Sequence, residues 1–151
     1  MTRRTLILLA AGGSALLLLG AFIFQYFGYA PCKLCLWQRW PHGAAIAIGG
    51  VALLVGGRWL AVAGAAAATV TGALGVYHTG VERGWWPGPN TCTSGGALDG
   101  SAEDLLNQIL AAPLIRCDEV AWSLMGLSMA SWNAVFSFVL AAIWIAAVRR
   151  T

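Results

Sequence analysis

Cys32 and Cys35 form a C-x-x-C at the start of an apolar segment, and Cys92 and Cys117 sit in a long polar loop between two others. They are the only four cysteines in 151 residues, and no apolar stretch contains one. A C-x-x-C ring is too short to add much long-range constraint and is typical of exchangeable pairs. Cys92 and Cys117 read by default as a structural staple. Of the three pairings that four cysteines allow, Cys32–Cys35 with Cys92–Cys117 is the natural resting choice, because each bridge then closes within one loop. Covalent haem attachment needs a histidine after the second cysteine, where Leu36 stands, and a four-thiolate zinc site pairs two short knuckles. Neither pattern is met, so thiol redox chemistry and inert stapling remain the two readings.

The surroundings of Cys35 favour the redox reading. A helix beginning near Cys35 places that sulfur at the positive end of the dipole, which favours a thiolate. Arg39 is then one turn deeper on the same face. A guanidinium at membrane depth is costly and usually marks function, unless it snorkels to the headgroups. Beside an activated cysteine it is a candidate ligand for a reduced, negatively charged acceptor. Lys33, inside the C-x-x-C, also favours thiolate. Asp118 and Glu119 beside Cys117 should raise its thiol pKa, which lowers its thiolate fraction and makes it a poorer leaving group. His42 and His78 each lie near a span end, where a lone histidine is more often interfacial than a proton carrier. Gln38 reads as a supporting polar residue and Trp40 as a packing or interface aromatic.

The elements that must position these groups are membrane spans. Hydrophobic residues make up 59% of the chain and charged ones 10%, which excludes an ordinary soluble domain. Apolar stretches at about 5–27, 41–55, 59–77 and 131–148 approach or reach the roughly 20 residues that cross a bilayer. The expected fold is an all-α membrane protein, a single four-transmembrane-helix bundle over 1–151 with outer loops at about 28–40 and 80–130. Arg3, Arg4, Arg58, Arg149 and Arg150 fall at the termini and the middle turn, whereas all six acidic residues fall on the opposite side. The arginines mark the termini as cytoplasmic, although Lys33, Arg39, Arg83 and Arg116 keep the margin narrow. The first stretch is longer than a signal-peptide core and lacks a small-x-small cleavage site, so it reads as an uncleaved span. Gly64, Ala68 and Gly72 form a small-residue stripe that permits close helix approach or simply reflects Ala/Gly enrichment.

In the long loop, Ser101, Glu103 and Asp104 precede Leu105, Leu106, Ile109 and Leu110 on one helical face. This pattern predicts a short amphipathic interfacial helix that ends at Pro113. Trp85, Trp86, Trp122 and Trp132 suit the membrane interface. The Gly/Ser-rich run before Ser101 gives Cys92 the access that exchange requires.

The run Pro31-Cys32-Lys33-Leu34-Cys35-Leu36-Trp37-Gln38-Arg39-Trp40-Pro41 resembles the P-C-x-L-C-x-x-Q-R-x-P signature of the DsbB family, bacterial disulfide bond formation protein B. Cys117, Trp122 and the run from Gly126 to Asn133 resemble the approach to that family's fourth span, and Tyr77-His78-Thr79 also has a counterpart. The resemblance covers nearly the whole chain. It implies a multi-pass monomer of the bacterial inner membrane, with cysteines in the periplasm and no metal or nucleic acid. It also implies that Cys92–Cys117 oxidises a soluble thioredoxin-fold oxidase of the DsbA type, with Cys92 forming the mixed disulfide. Electrons then pass through a Cys32–Cys117 bridge to Cys35 and on to a membrane quinone, ubiquinone or menaquinone. Arg39 is implied as the ligand of the quinone oxygen, with His78 beside the same pocket. Two alternatives remain. A vitamin K epoxide reductase-like enzyme places its active C-x-x-C near a later span, and a stapled scaffold predicts no quinone at all.

Overall fold

The computed structural model describes residues 1–89 and 116–150. Four long helices dominate it: α1 (Arg3–Tyr26), α2 (Lys33–Val55), α3 (Arg58–Glu82) and α4 (Met129–Arg149). Two short antiparallel strands, β1 (Ser123–Leu124) and β2 (Leu127–Ser128), precede α4. By length and composition α1, α3 and α4 are each apolar enough to cross a membrane. The expected interfacial helix and Cys92 lie outside the described residues.

Each helix begins where local chemistry allows it. The Thr2 and Ser128 hydroxyls cap α1 and α4 by accepting from the backbone N–H groups of Thr5 and Ser131, 3.2 Å away in each case, as N-cap side chains typically do. Gly56 and Gly57 take φ of 78° and 100° between α2 and α3, a left-handed run that glycine adopts without steric cost. It reverses the chain in two residues. Arg3 donates to the Gly57 carbonyl, which fixes the N-terminus and this turn at one end of the bundle. The strands are joined by Met125 (φ 53°) and Gly126 (φ 76°), the two positive φ values that a tight two-residue hairpin demands. No strand was expected here.

Helix α2 starts at Lys33 and runs through Pro41, well before the apolar stretch expected from 41. An interior proline removes its own N–H from the ladder and crowds the carbonyl four residues back, yet α2 continues through Pro41 to Val55. Gln38 and Arg39 are therefore helical residues with fixed directions. Helix α3 likewise continues to Glu82, which places His78 and Glu82 on one helical face.

The helices close in the ring α1–α2–α3–α4, with α1 and α3 barely touching. At the end carrying the turn and both termini, Trp144 of α4 is fully buried among Ile7, Ala61, Ala65 and Ala68. The small-residue stripe of α3 is the floor beneath aromatic rings of α4. A Cβ at Gly64 would stand 2.6 Å from Trp144, and one at Gly72 would stand 3.0 Å from Phe138. One turn further, at Gly75, the Ala130 carbonyl itself comes within 3.0 Å of that position. In lipid such close packing, rather than water exclusion, holds helices together. At the opposite end small side chains give way to polar ones, and there the cysteines lie.

Candidate functional site: a dithiol at the rim of an apolar cavity

Cys32 is the N-cap of α2, and its sulfur accepts the Cys35 backbone N–H at 3.2 Å. Both are free thiols, and their Sγ atoms lie 2.9 Å apart. Closing a disulfide of about 2.05 Å needs a shift of under an ångström or so. Cys32 is buried and Cys35 partly exposed. The hydrogen bond from the Cys32 thiol draws the Cys35 thiol below its ordinary range, against the opposing effect of burial, with Arg39 adding a smaller favourable charge. The same shared proton, together with burial, pushes Cys32 far above that range. One sulfur thus ionises readily while the other holds its proton, as expected for strongly interacting sites.

Cys117 lies in the loop before β1, fully buried in one cluster with Cys32, Leu34 and Val81. It is disulfide-bonded. Three of the four predicted cysteines thus gather at one place. Asp118 does not act on Cys117 as a free charge. Arg116 holds it at 2.6 and 2.9 Å and keeps its carboxyl below the usual range.

His78 reaches this cluster from α3. Its Nε2 lies 3.5 Å from Cys32 Sγ and 3.9 Å from Glu82 Oε1, and the ring also bonds the Cys117 backbone. Its Nδ1 lies 2.9 Å from Gln38 Nε2. That amide also donates to the Leu34 carbonyl at 3.1 Å, so it is the nitrogen side of Gln38 that faces His78. An amide nitrogen only donates. His78 Nδ1 is therefore the acceptor, and Nε2 carries the proton that the Cys117 backbone accepts. Ser128 donates to Glu82 and so links the hairpin to α3.

Beside the dithiol opens a cavity of about 420 Å³ between α1, α2 and α4, with the hairpin at its mouth. Its walls are mostly apolar, including Leu17, Phe24, Trp122, Trp132 and Phe136. Cys35, Gln38, Arg39, His42, His78, Glu82 and Asn133 supply the polar lining. Arg39 does not snorkel freely. Its guanidinium donates to Gln25 Oε1 at 2.6 Å and to the Ala21 carbonyl at 3.2 Å, and it lies over the Phe22 ring at 4.9 Å. Its Nε is buried with no partner.

Four participants were not evident from the sequence. Gln25 of α1 holds Arg39, and no motif marks it. Glu82 reads as a loop acid until α3 is seen to include it. Asn133 donates to Gln38 Oε1 at 2.7 Å and accepts from His42 Nε2 at 2.8 Å. His42 is not interfacial, as expected of a lone histidine, but buried in the cavity wall with 3% of its surface exposed. Trp40 is 80% exposed on the bundle's outer surface, as an interface aromatic should be. Trp122 is more than an interface residue, since it packs on Phe24 at 5.2 Å over the cavity.

The family described as disulfide bond formation protein DsbB matches residues 3–147. Among curated proteins, the disulfide bond formation protein B of Polaromonas sp. (strain JS666 / ATCC BAA-500) is 24% identical over 99% of this chain and 92% of its own length. That of Verminephrobacter eiseniae (strain EF01-2) is 30% identical over 87% of this chain and 77% of its own. An uncharacterized protein of Rickettsia prowazekii (strain Madrid E) is 26% identical over 80% of this chain and 73% of its own. No solved structure matches. With two thiols in contact, a third cysteine buried against them and a match spanning nearly every residue, the chain belongs to the DsbB family.

Proposed function

We propose that this protein is a quinone-dependent thiol oxidase of the bacterial inner membrane, a four-span monomer that reoxidises a DsbA-type periplasmic oxidase. The observation that carries the reading is the Cys32–Cys35 dithiol opening onto an apolar cavity whose buried polar atoms include the unpartnered Arg39 Nε. A quinone head suits that lining: flat and apolar, with two oxygens that need polar partners. Arg39 would hold one oxygen, and His78 and Glu82 border the same space. Cavities of such size and lining are typical of small-molecule sites.

In the relay, a thiolate of the partner attacks Cys92 of the Cys92–Cys117 bridge, and Cys117 departs as a thiolate. Cys117 then attacks Cys32 of an oxidised Cys32–Cys35 pair, and Cys35 departs in turn. Burial of Cys117 and Cys32 in one cluster supports that transfer. The lowered Cys35 pKa makes it the better leaving group, and His78 Nε2 stands 3.5 Å from the attacked Cys32 sulfur. The partner's second thiolate then frees Cys92, and Cys92 attacks Cys117, which restores the Cys92–Cys117 bridge and leaves Cys32 and Cys35 as a reduced pair. Closing Cys32–Cys35 again gives up two electrons and two protons, the complement that converts a quinone to a quinol. Arg39, fixed to α1 by Gln25 and Ala21, keeps a permanent positive charge beside the space where negative charge develops.

The test mixes purified protein with the reduced partner and a soluble quinone and follows quinone absorbance. Wild type turns over, and Cys35→Ala loses turnover by at least about a hundredfold, the scale of a missing activated nucleophile. Unchanged turnover in Cys35→Ala would sink the relay.

A further inference from the structure

His42 has no part in the relay, yet it is buried in the cavity wall with Nδ1 lacking any partner. The network behind it decides what that nitrogen can do. The Leu34 carbonyl accepts from Gln38 Nε2, which turns Gln38 Oε1 toward Asn133. Asn133 must answer with its Nδ2, which also donates to Thr71 Oγ1 at 3.3 Å. Its Oδ1 is thereby left facing His42 Nε2 at 2.8 Å. An amide oxygen only accepts, so Nε2 carries the hydrogen, and in a neutral ring Nδ1 is then a bare lone pair. One backbone carbonyl, through two amides, sets the tautomer of a histidine two turns further along the same buried face of α2.

His42 lines the cavity and its Nδ1 has no partner among the described residues; a lone pair there can accept from a hydroxyl but meets a carbonyl oxygen with repulsion. A quinol has hydroxyls and a quinone only carbonyls. Arg39 Nε–H, the other unpartnered polar atom of the cavity lining, suits an oxygen in either state. Resting on the quinone reading above, we infer that His42 is a specificity-determining residue that makes the cavity bind quinol more tightly than quinone. By linkage, a site that favours the reduced form makes reduction within it more favourable by the same factor. The relay would thus be drawn forward at its last step by a residue that touches no cysteine.

The test measures quinone and quinol affinities separately by calorimetric titration, without oxygen. A Cys35→Ala background prevents the protein from interconverting the two. At about pH 8, above the ordinary imidazole range, a short-tailed benzoquinone and its reduced form serve as probes. His42→Leu should weaken quinol binding by about three- to tenfold, the worth of one neutral hydrogen bond, and leave quinone binding equal or stronger. His42→Gln, whose amide can donate to Asn133 and turn its oxygen to the cavity, should restore most of the quinol preference. Equal loss of both affinities in His42→Leu, or no change in either, overturns the inference while leaving the quinone reading intact. Failure of the His42-containing protein to bind either probe removes both together.

Discussion

At the scale of single residues, the 2.9 Å contact between Cys32 and Cys35 is the most consequential distance in the molecule. Removing the Cys32 thiol takes away the hydrogen bond that chiefly lowers the Cys35 pKa and leaves burial to raise it. Rates of Cys35 alkylation against pH should therefore inflect below the ordinary thiol value of about 8.5 in the wild-type protein and move upward in Cys32→Ala. An unmoved inflection would show that the shared proton does not activate Cys35. Arg39 grips α1 with its terminal nitrogens, and its buried Nε–H has no partner among the described residues. Lysine offers a point charge without that fork. Arg39→Lys should raise the KM for quinone by roughly ten- to a hundredfold, the span of a hydrogen bond to a charged group. Steady-state assays with varied quinone measure this, and an unchanged KM would take Arg39 out of the site. The C-x-x-C, Arg39 and His78 could all be singled out from the sequence, because their spacing or neighbours carry meaning. Gln25 and Asn133 could not, since an amide shows no purpose until its partners are known.

At the scale of elements, helix positions carry the site and small residues set the helix spacing. Continuing α2 through Pro41 turns Cys35, Gln38, Arg39 and His42 into successive positions of one rigid element. The sequence alone placed Cys35 and Arg39 on one helical face but left the start of the second span open, because its apolar run begins only at Pro41. The stripe on α3 was legible as small residues, but its purpose was not, as the rings it receives come from α4. Gly64→Ala drives a Cβ to 2.6 Å from the rigid Trp144 indole. It should cost about 1–3 kcal/mol, as overpacking does. Thermal unfolding in detergent would measure this, and an unchanged midpoint would mean that α3 and α4 can separate freely. Gly13 should tolerate alanine better, since the nearest atom is the end of the flexible Leu140 side chain.

At the scale of the whole molecule, the bundle has two unlike ends. One is tightly packed around Trp144 and ringed by Arg3, Arg58 and Arg149, and the other holds the cysteines, the cavity and the hairpin. The arginine bias predicts that the first end faces the cytoplasm. In intact spheroplasts a membrane-impermeant thiol reagent should reach cysteines of the reduced protein, whereas tags at either terminus should be accessible only after permeabilisation. Termini reached from outside would reverse the proposed topology and separate the dithiol from any periplasmic partner.

Composition and spacing by themselves determined that this is a helical membrane protein with its thiols gathered outside the apolar spans and a guanidinium one turn below a C-x-x-C. Those properties follow from hydrophobic run length and helical periodicity, which are local. Only the tertiary structure decided that Cys117 packs against Cys32, that His42 and Asn133 belong to the cavity, and that a carbonyl on α2 dictates histidine tautomers on α2 and α3. Those are long-range hydrogen bonds and contacts between elements, and their direction depends on how four helices meet in space.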